Sequence, residues 1–373
     1  MTSNPHNDYL YAIALSLIPK IGPKSIKSLI KYCGSAKDAY FADKSLLAKI
    51  PNMGPQSISN LKSHRTIDKA KIIFESIEKN KIDIFFYTKN LYPSRLKAIP
   101  DAPPLLFSQG NGHFDNPRSL AIVGTRTPSN RALNLCRQII EELSPFHPTI
   151  ISGLAYGIDS CVHQMACKLK LNNIAVLAHG HQFIYPKDHI KLAQKIKSNG
   201  ALVSEFNFFE KIKREHFPMR NRIIAALADA CLVIESPQRG GSIITAQLAF
   251  DYNREVFAIP GRPTDGKSKG CNALIKTHKA SLIESAQDII RALSWEEHYI
   301  GKAPTPPILE LFDCNEELII KCFQQKESLH IDEILMRSGL SFGILNRTLL
   351  AMELKSYIRS MPGKRFILSD HLQ

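Results

Sequence analysis

Gly124, Thr125 and Arg126 follow directly on an apolar run at 120–123 and precede a helical pattern over 131–143. An apolar run that ends at glycine is typical of a buried parallel strand, and open α/β sheets bind ligands at the loops that follow such strands. Backbone N–H groups, threonine hydroxyls and an arginine at the start of a helix together suit a phosphate. The alternative interpretation is an ordinary strand-to-helix turn with one solvated arginine.

Other loops that follow predicted strands carry the same chemistry. The segment after Ile151 contains two glycines, which permit close backbone approach, and Asp159, which can cap the next helix. The segment after Ile234 places further glycine and serine residues before another helical pattern. These loops add the candidate anion-binding residues Ser152, Gly153, Gly157, Gly241 and Ser242.

A basic stretch with one aromatic residue precedes the helical pattern at 220–227. Phe217 can stack on a nucleobase while basic side chains hold the backbone, and such stacking contributes about 1–3 kcal/mol per base. A charge run alone is usually a solvated face, but here basic residues surround an aromatic one at the predicted rim of the sheet. The candidates for nucleic-acid contact are Lys213, Arg214, Phe217, Arg220, Asn221 and Arg222.

Short apolar runs alternate with helical patterns between residues 119 and 290. Strands are predicted at 120–123, 149–152, 173–177, 201–204, 230–234 and 255–258, and helices at 159–169, 189–199, 220–227 and 244–252. This alternation is typical of an α/β protein with a doubly wound parallel sheet of the Rossmann-like kind. The dinucleotide fingerprint GxGxxG with a downstream acidic residue is absent from the sequence, which argues against an NAD enzyme.

The first 65 residues contain a short internal repeat, in which IPKIGPKSI at 18–26 is echoed by IPNMGPQSI at 50–58. Each copy predicts a helix end, a glycine-containing hairpin and a new helix, at 24–32 and at 56–63. The repeat resembles the helix-hairpin-helix motif of small, sterile-alpha-motif-like all-α domains. Residues 1–70 hold ten Lys and Arg against four Asp, a balance that favours binding to nucleic acid. A packing unit that kept only the shape of the motif is the alternative.

The remaining patterns complete the domain organisation. Within residues 66–117 the pattern predicts a helix at 67–80 and strands at 82–87 and 105–107. In the tail it predicts helices at 316–325, 330–338 and 341–354, followed by a hairpin of 357–360 with 365–368. The tail pattern is that of a winged helix, yet 310–373 holds eight Lys and Arg against nine Asp and Glu, so protein contact is at least as well supported as DNA contact. We predict a helix-hairpin-helix domain at 1–66, a Rossmann-like domain at 67–300, a linker at 301–313 and a winged-helix domain at 314–373.

Composition narrows the class of protein. The 373 residues carry 48 Lys and Arg against 34 Asp and Glu, and the resulting net charge of +14 favours a polyanionic partner, nucleic acid before an anionic membrane surface. Eight cysteines without a CxxC pair are typical of reduced core residues. No apolar run approaches the length of a membrane span and no signal peptide is recognisable, so we expect a cytoplasmic protein.

Four collinear motifs closely resemble those of the DNA-processing protein A family, also called DprA or Smf. They are VGTRTPS at 123–129, ISGLAYGID at 151–159, FPMRNRIIA at 217–225 and REVFAIPG at 254–261, and GCNALI at 270–275 fits the same pattern. The resemblance covers a helical head, an extended Rossmann-like body and a winged-helix tail. It implies a protein that is not known as an enzyme, binds and protects single-stranded DNA without sequence preference, and loads the RecA recombinase onto it in natural transformation.

The resemblance also implies which residues contact DNA and how the chain assembles. The DNA-contacting positions of the family fall on Arg126, Gly153, Arg214 and Phe217. Arg220 and Arg222 line the same loop, and for Arg222 the alternative is a buried structural role. A homodimer through the Rossmann-like domain is implied as well.

The sequence departs from the family pattern in two places. The loop at 178–184 is AHGHQFI where the commoner pattern is closer to Gly-x-Gly-Leu-Asp, and Lys279-Ala280 stands where Gly-Ala is usual. The first departure bears on the role of that loop. The second lies in the region that the family links to self-association.

Other chemistries have weaker support in the sequence. His179 and His181 have no second cluster at a ligand spacing, so we predict no metal and no cofactor. Asp159 and His163 are four residues apart and are more typical of a helix cap and a structural histidine than of an acid–base pair. Two hypotheses compete with DNA binding: a nucleotide-processing enzyme on the same fold, and a recombination scaffold whose partners contact the DNA.

Overall fold

A computed structural model describes residues 5–296 and 313–368, apart from positions 52, 64, 324–327, 356 and 362. The chain divides into two compact units, residues 1–301 and residues 302–373. The predicted linker at 301–313 lies, except for residue 313, outside the described residues. In the part of the chain that is described, no helix has both the length and the apolar character needed to cross a bilayer.

The first unit is built on a sheet in which nine strands are described. In chain order they are β1 (Asp83–Phe86), β2 (Leu105–Gly110), β3 (Ser119–Val123), β4 (Thr149–Ser152), β5 (Asn173–Val176), β6 (Gly200–Ser204), β7 (Ala230–Val233), β8 (Glu255–Ala258) and β9 (Ser281–Leu282). The spatial order is β1-β2-β6-β5-β4-β3-β7-β8-β9; β2 is antiparallel to β1 and β6, and the other neighbours are parallel. The predicted doubly wound parallel sheet is confirmed. Its order reverses between β3 and β7, which opens a crevice at their carboxyl ends.

A helical head precedes the parallel strands. Its helices are α1 (Pro5–Ser16), α2 (Pro23–Cys33), α3 (Ala36–Phe41), α4 (Lys44–Leu47), α5 (Pro55–Ser63) and α6 (Ile67–Lys79). Helices follow both copies of the repeat as predicted, although α2 and α5 each begin at the proline after the glycine, one residue before the predicted start. The Asn60 side-chain amide of α5 donates to the Pro19 carbonyl at 2.8 Å, which ties the second copy to the hairpin of the first. Apolar side chains of β1 and β2 complete the core of the head, so the head packs on the antiparallel edge of the sheet.

Helices cover both faces of the parallel strands. They are α7 (Ser94–Lys97), α8 (Asn130–Leu143), α9 (Ile158–Lys168), α10 (Ile190–Asn199), α11 (His216–Leu227), α12 (Gly241–Asp251), α13 (Lys269–Lys276) and α14 (Ala286–Ala292). Leu120 and Ile122 of β3 join the core that contains α8, α9 and α14, whereas Ala121 and Val123 join the core that contains α11 and α12. Burial on both faces explains why β3 is a continuous apolar run rather than an alternating one.

Two helices at the crevice start earlier than the sequence pattern predicts. α11 begins at His216 instead of residue 220, and α12 begins at Gly241 instead of residue 244. The prediction for α11 placed Pro218 before the helix, but proline is tolerated in a first helical turn because its missing N–H has no partner there. The earlier start places Phe217 and Arg220 three residues apart on one helix, a spacing that brings side chains together.

The second unit is a winged-helix domain. Its described elements are α15 (Cys314–Cys322), β10 (Leu329–His330), α16 (Ile331–Ser338), α17 (Phe342–Leu354), β11 (Ile358–Met361) and β12 (Arg365–Leu368). The strands pair in the order β10-β12-β11, and the helices pack over them on one apolar core. The three predicted helices and the hairpin are present, although α15 spans Cys314–Cys322 rather than 316–325, and residues 324 and 325 lie outside the described residues. The prediction that a helix begins at His330 is wrong by one residue, because His330 is the last residue of β10 and α16 begins at Ile331. A strand of two residues is too short to show an alternating pattern.

Candidate nucleic-acid interface

A cleft of about 280 Å³ lies at the carboxyl ends of β3 and β7, where the order of the sheet reverses. The loops after these strands and the first turns of α11 and α12 form its walls. Eight of the predicted site residues line it, namely Gly124, Thr125, Arg126, Phe217, Arg220, Asn221, Gly241 and Ser242. The fold therefore assembles three separate motifs of the sequence into one concave site.

Arg126 and Phe217 form the cationic and aromatic centre of the cleft. The guanidinium carbon of Arg126 lies 5.5 Å from the centroid of the Phe217 ring, within the range of a cation–π contact. Arg126 is exposed and Phe217 is half-buried, so both side chains reach solvent. A cation beside an accessible aromatic ring can bind a phosphate and stack an adjacent base.

Glu235, two residues after the end of β7, anchors the loop that carries Arg126. Its carboxylate accepts hydrogen bonds from the Ser129 backbone N–H at 2.8 Å and from the Ser129 hydroxyl at 2.7 Å. Its carbonyl accepts the Thr125 N–H at 2.7 Å. Sequence reasoning missed this residue, although a carboxylate that directly follows an apolar strand is a signal for such an anchor. The anchor fixes the Arg126 loop at both ends.

Arg220 forms the floor of the cleft. It is buried, and its guanidinium donates to the Gly153 carbonyl at 2.5 Å, to the Val176 carbonyl, and to the side-chain oxygen of Asn221 at 3.2 Å. Burial lowers the pKa of Arg220 to about 10, against the opposing effect of Asp159, so the guanidinium is charged at neutral pH. Arg220 therefore positions the Gly153 loop and supplies fixed positive charge beneath the site.

Asp159 is the buried acid that faces this arginine. Burial raises the pKa of Asp159, while the positive charge of Arg220 acts in the opposite direction. Its carboxylate accepts the Ala155 N–H at 3.3 Å, so it ties the loop after β4 to the first turn of α9. The helix-cap interpretation of the sequence is wrong, because the N-cap of α9 is Gly157 and Asp159 lies within the first turn, where its carboxylate holds the backbone of the preceding loop.

His163 also holds this loop. Its Nε2 accepts the Leu154 N–H at 3.3 Å, and its Nδ1 lies 2.6 Å from the side-chain oxygen of Asn173. Burial lowers the pKa of His163 to about 4, so the ring is neutral under ordinary conditions. A neutral ring whose two nitrogens are both used inside the protein fits a structural histidine.

The glycines of the ISGLAYGID motif leave space for neighbouring atoms of the protein itself, and not only for a ligand. A Cβ at Gly153 would lie 2.6 Å from the guanidinium of Arg220, and one at Gly157 would lie 2.4 Å from the Thr125 carbonyl. Gly157 also has a φ of +81°, which disfavours other residues. The predicted site residue Ser152 is buried and donates its hydroxyl to the Ile122 carbonyl at 2.7 Å. These residues lie behind the cleft wall and shape the Arg126 loop.

The amino terminus of α12 contributes to the opposite wall. Gly240, which has no side chain, is its N-cap, and the helix continues for 11 residues. The side-chain amide of Asn221 donates to the Gly241 carbonyl at 3.2 Å, and Ser242 donates to the Ser236 hydroxyl at 2.8 Å. Helix amino termini attract anions through their N–H groups and dipole, so this wall suits a phosphate.

The other basic residues of the predicted set lie elsewhere. Lys213 and Arg214 are exposed in the turn before α11, and Lys213 pairs with Glu210 at 2.7 Å. Arg222 is buried, pairs with Glu205 and donates to the Asp101 carbonyl at 2.6 Å, outside the lining of the cleft. Burial raises the pKa of Glu205 to about 7, although the charge of Arg222 opposes this rise. These contacts fit the structural alternative for Arg222.

The fold defines an extended Rossmann-like protein whose cleft, at the carboxyl edge of the sheet, is lined by basic and aromatic side chains. The family model of the DNA recombination-mediator protein A matches residues 83–294, and the model of the DprA winged helix domain matches residues 303–364. The chain belongs to the DNA recombination-mediator protein A family, DprA or Smf.

Relatives and solved structures agree with this assignment. The protein Smf of Synechocystis sp. is 29% identical over 97% of this chain and 99% of its own length. The X-ray structure of DNA processing protein A from Streptococcus pneumoniae is 30% identical with a TM-score of 0.61, and the match covers 76% of this chain and 97% of that one. A second solved structure, described as giving structural insights into the single-stranded DNA binding mode of DNA processing protein A from Helicobacter pylori, also matches. It is 28% identical with a TM-score of 0.53, and the match covers 58% of this chain and 97% of that one.

Proposed function

We propose that this protein binds single-stranded DNA without sequence preference at the cleft between the β3 and β7 loops. The observation that carries the proposal is the exposed guanidinium of Arg126 over the ring of Phe217, with the charged Arg220 beneath it and the α12 amino terminus opposite. Cationic groups that hold phosphates and rings that stack bases are the two components of non-specific single-strand binding. A ring can stack any base, so this site needs no particular sequence.

The test is fluorescence anisotropy of a labelled oligo-dT, titrated with protein at several salt concentrations. Duplex DNA and a mononucleotide serve as competitors. We expect tight, salt-sensitive binding that duplex displaces poorly and a mononucleotide does not displace. Displacement by mononucleotide at low concentration would favour the nucleotide-processing enzyme instead. Absence of binding at every salt concentration would leave the scaffold hypothesis.

We further propose that the bound strand is protected in the cytoplasm and passed to a RecA-type recombinase during natural transformation. The membership of the chain in a family described as a recombination mediator supports this step. The test is the DNA-dependent ATPase of RecA on a strand covered with single-strand-binding protein. The parent protein should shorten the lag, and an Arg126→Ala, Phe217→Ala double variant should not. Equal lags with both proteins would contradict the proposal.

We also propose a homodimer through the edge of the Rossmann-like sheet. A groove of about 680 Å³ borders the edge strand β9, and the exposed side chains of Phe250 and Leu282 lie along it. Light scattering after gel filtration should give a dimer for the parent protein and a monomer for Leu282→Asp. Leu91→Asp, at another exposed leucine of the same unit, is the matched control and should remain dimeric. A monomeric parent protein would refute the dimer.

A further inference from the structure

Two exposed tyrosines extend the aromatic surface beyond the cleft. The Tyr185 ring meets the Phe217 ring edge to face, with 5.9 Å between the centroids. Tyr156 lies in the loop before α9, and its ring packs against the His189 ring at 5.1 Å. Tyr156 and Tyr185 are 44% and 42% exposed, so both rings are accessible to a base. Sequence reasoning did not assign a role to either ring.

A hydrogen bond fixes the orientation of Tyr156. Its hydroxyl donates to the Asp188 carboxylate at 2.8 Å, and Asp188 directly precedes His189, which packs against the ring. This hydrogen bond raises the pKa of Tyr156. Tyr185 lies three residues before Asp188 along the chain, so Tyr156 is tied to the segment that follows Tyr185. Phe217, which contacts Tyr185, and Tyr156, which is tied to that segment, define a row of aromatic side chains that starts beside Arg126.

A second cleft, of about 560 Å³, lies between α9 and α10 at the far end of this row. Asp188 and His189, the two residues that Tyr156 contacts, belong to its lining. Among the described residues, Asp188 is the one acidic side chain on that lining. Three exposed lysines also line it: Lys168, Lys191 and Lys195. The second cleft is therefore basic and continues directly from the row of rings.

The lysines of the second cleft can exchange their present contacts for phosphates. Lys191 and Lys195 are four residues apart on α10, so they project from the same side of the helix. Lys168 lies 3.4 Å from Glu141, but both side chains are more than half exposed. A surface pair of this kind stabilises a protein by only about 0–1 kcal/mol, so a strand of DNA can replace it.

We propose that a single strand held at Arg126 and Phe217 continues over Tyr185 and Tyr156 into the cleft between α9 and α10, where the lysines bind its phosphates. The proposal rests on the proposed function of the first cleft and extends its footprint. A row of aromatic side chains beside a basic groove is the arrangement with which proteins follow a single strand. Paired bases are stacked inside a duplex and cannot use the tyrosine rings, so the extension favours single strands over duplex.

The test compares two oligo-dT lengths, about 5 and about 20 nucleotides, chosen to bracket typical single-strand site sizes. The variant is Lys168→Ala, Lys191→Ala, Lys195→Ala. The control is Lys71→Ala, Lys79→Ala, Lys81→Ala, which removes the same charge from exposed positions on α6 and in the turn that follows it. Anisotropy titrations in several salt concentrations give the affinity and the salt slope for each protein and length. Circular dichroism confirms that both variants are folded.

We expect the α9–α10 variant to lose at least tenfold in affinity for the longer oligonucleotide and to lower its salt slope by about 2, since each phosphate contact on a single strand contributes about 0.7. Its affinity for the shorter oligonucleotide should not change. The α6 control should match the parent protein at both lengths. Unchanged affinity and salt slope for the longer oligonucleotide would overturn the proposal. Binding of the shorter oligonucleotide by the parent protein would still support the first cleft, so the two proposals can fail separately.

A pair of tyrosine variants tests the aromatic row. Tyr156→Ala should weaken binding of the longer oligonucleotide by about tenfold without changing the salt slope, because stacking releases no counterions. Tyr156→Phe keeps the ring and should bind like the parent protein. Equal binding by all three proteins would remove Tyr156 from the path and overturn the proposed route. A further outcome would also overturn the proposal. If the parent protein binds poly-glutamate and the lysine variant does not, while both bind DNA equally, the second cleft is a site for an acidic protein.

Discussion

The cleft at β3 and β7 and the surface of the winged-helix unit differ in the chemistry that they present. The cleft combines Arg126, Arg220 and the amino terminus of α12 with one accessible ring. Helix α17, in the third-helix position where a winged helix commonly reads DNA, exposes Leu350 and Leu354, 60% and 80% accessible. The first surface can bind a polyanion, whereas the second is largely apolar.

This difference shows that a fold name alone does not assign a nucleic-acid site. A winged helix usually suggests DNA, but the charge balance of the tail and the apolar side chains on α17 favour protein contact. A Rossmann-like sheet usually suggests a nucleotide cofactor, but the fingerprint for one is absent from this sequence. In both units the side chains at the surface, rather than the backbone frame, indicate the partner.

The largest expected effect is a loss of DNA affinity that occurs on mutation of the cleft and not on mutation of the α17 surface. Arg126→Ala, Phe217→Ala should reduce affinity for oligo-dT by about a thousandfold, roughly 4 kcal/mol, because it removes both a phosphate contact and a stacking platform. The matched variant on α17, Arg347→Ala, Phe342→Ala, should bind within about twofold of the parent protein, in the range of surface substitutions outside a site. Similar losses of oligo-dT affinity in both variants would show that the cleft and the α17 surface do not differ in DNA binding.

A smaller effect concerns acid sensitivity behind the cleft. Burial lowers the pKa of His163 to about 4 from an ordinary value of 6.5, so below pH 6.5 the unfolded chain binds a proton that the folded chain excludes. Stability should therefore fall as pH decreases from 6.5 to 4, by about 3 kcal/mol from this residue. Trp295, the one tryptophan of the sequence, is buried in the first unit and reports its unfolding in urea.

The variant His163→Gln tests this origin of the pH dependence. It removes the titrating ring, so the decrease in the free energy of unfolding between pH 6.5 and pH 4 should be smaller than that of the parent protein by about 3 kcal/mol. The variant is expected to be less stable than the parent protein at pH 7 because Leu154 and Asn173 lose a partner. A pH profile parallel to that of the parent protein would show that other groups carry the acid sensitivity.

The smallest of these effects follows from the floor of the cleft. In Gly153→Ala the new Cβ would lie 2.6 Å from the guanidinium of Arg220, which would have to leave the Gly153 carbonyl. We expect a loss of about 2 kcal/mol in the free energy of unfolding, as is typical of overpacking, together with weaker binding of oligo-dT. The control is Gly266→Ala, which has open space around the added carbon and should match the parent protein.

Much of the frame could be predicted from local sequence. β3 is apolar at successive positions because both of its faces are covered, and Thr149–Ser152 and Glu255–Ala258 are strands with the predicted bounds. The start of α11 could not be placed in this way, because Pro218 signals a break unless it falls in a first turn. Two residues of β10 are too few for any periodicity.

The roles of the basic residues in the site depend on contacts that are distant in sequence. Arg126, Arg220 and Arg222 are equivalent as residue types, yet only Arg126 of the three is exposed. Arg220 is held by Gly153, and Arg222 by Asp101, 67 and 121 residues away along the chain. Sequence reasoning offered burial as an alternative for Arg222 but had no means of finding these partners. Packing therefore decides which of these arginines hold the cleft together and which one reaches solvent.

The most direct test of the central claim is the salt dependence of oligo-dT binding by the two single variants. Arg126→Ala should weaken binding and lower the slope of log affinity against log salt by about 0.7, the contribution of one phosphate contact on a single strand. Phe217→Ala should lose affinity with an unchanged slope, because a stacked base releases no counterions. If both variants bind like the parent protein, with the same affinity and the same slope, the cleft is not the DNA site.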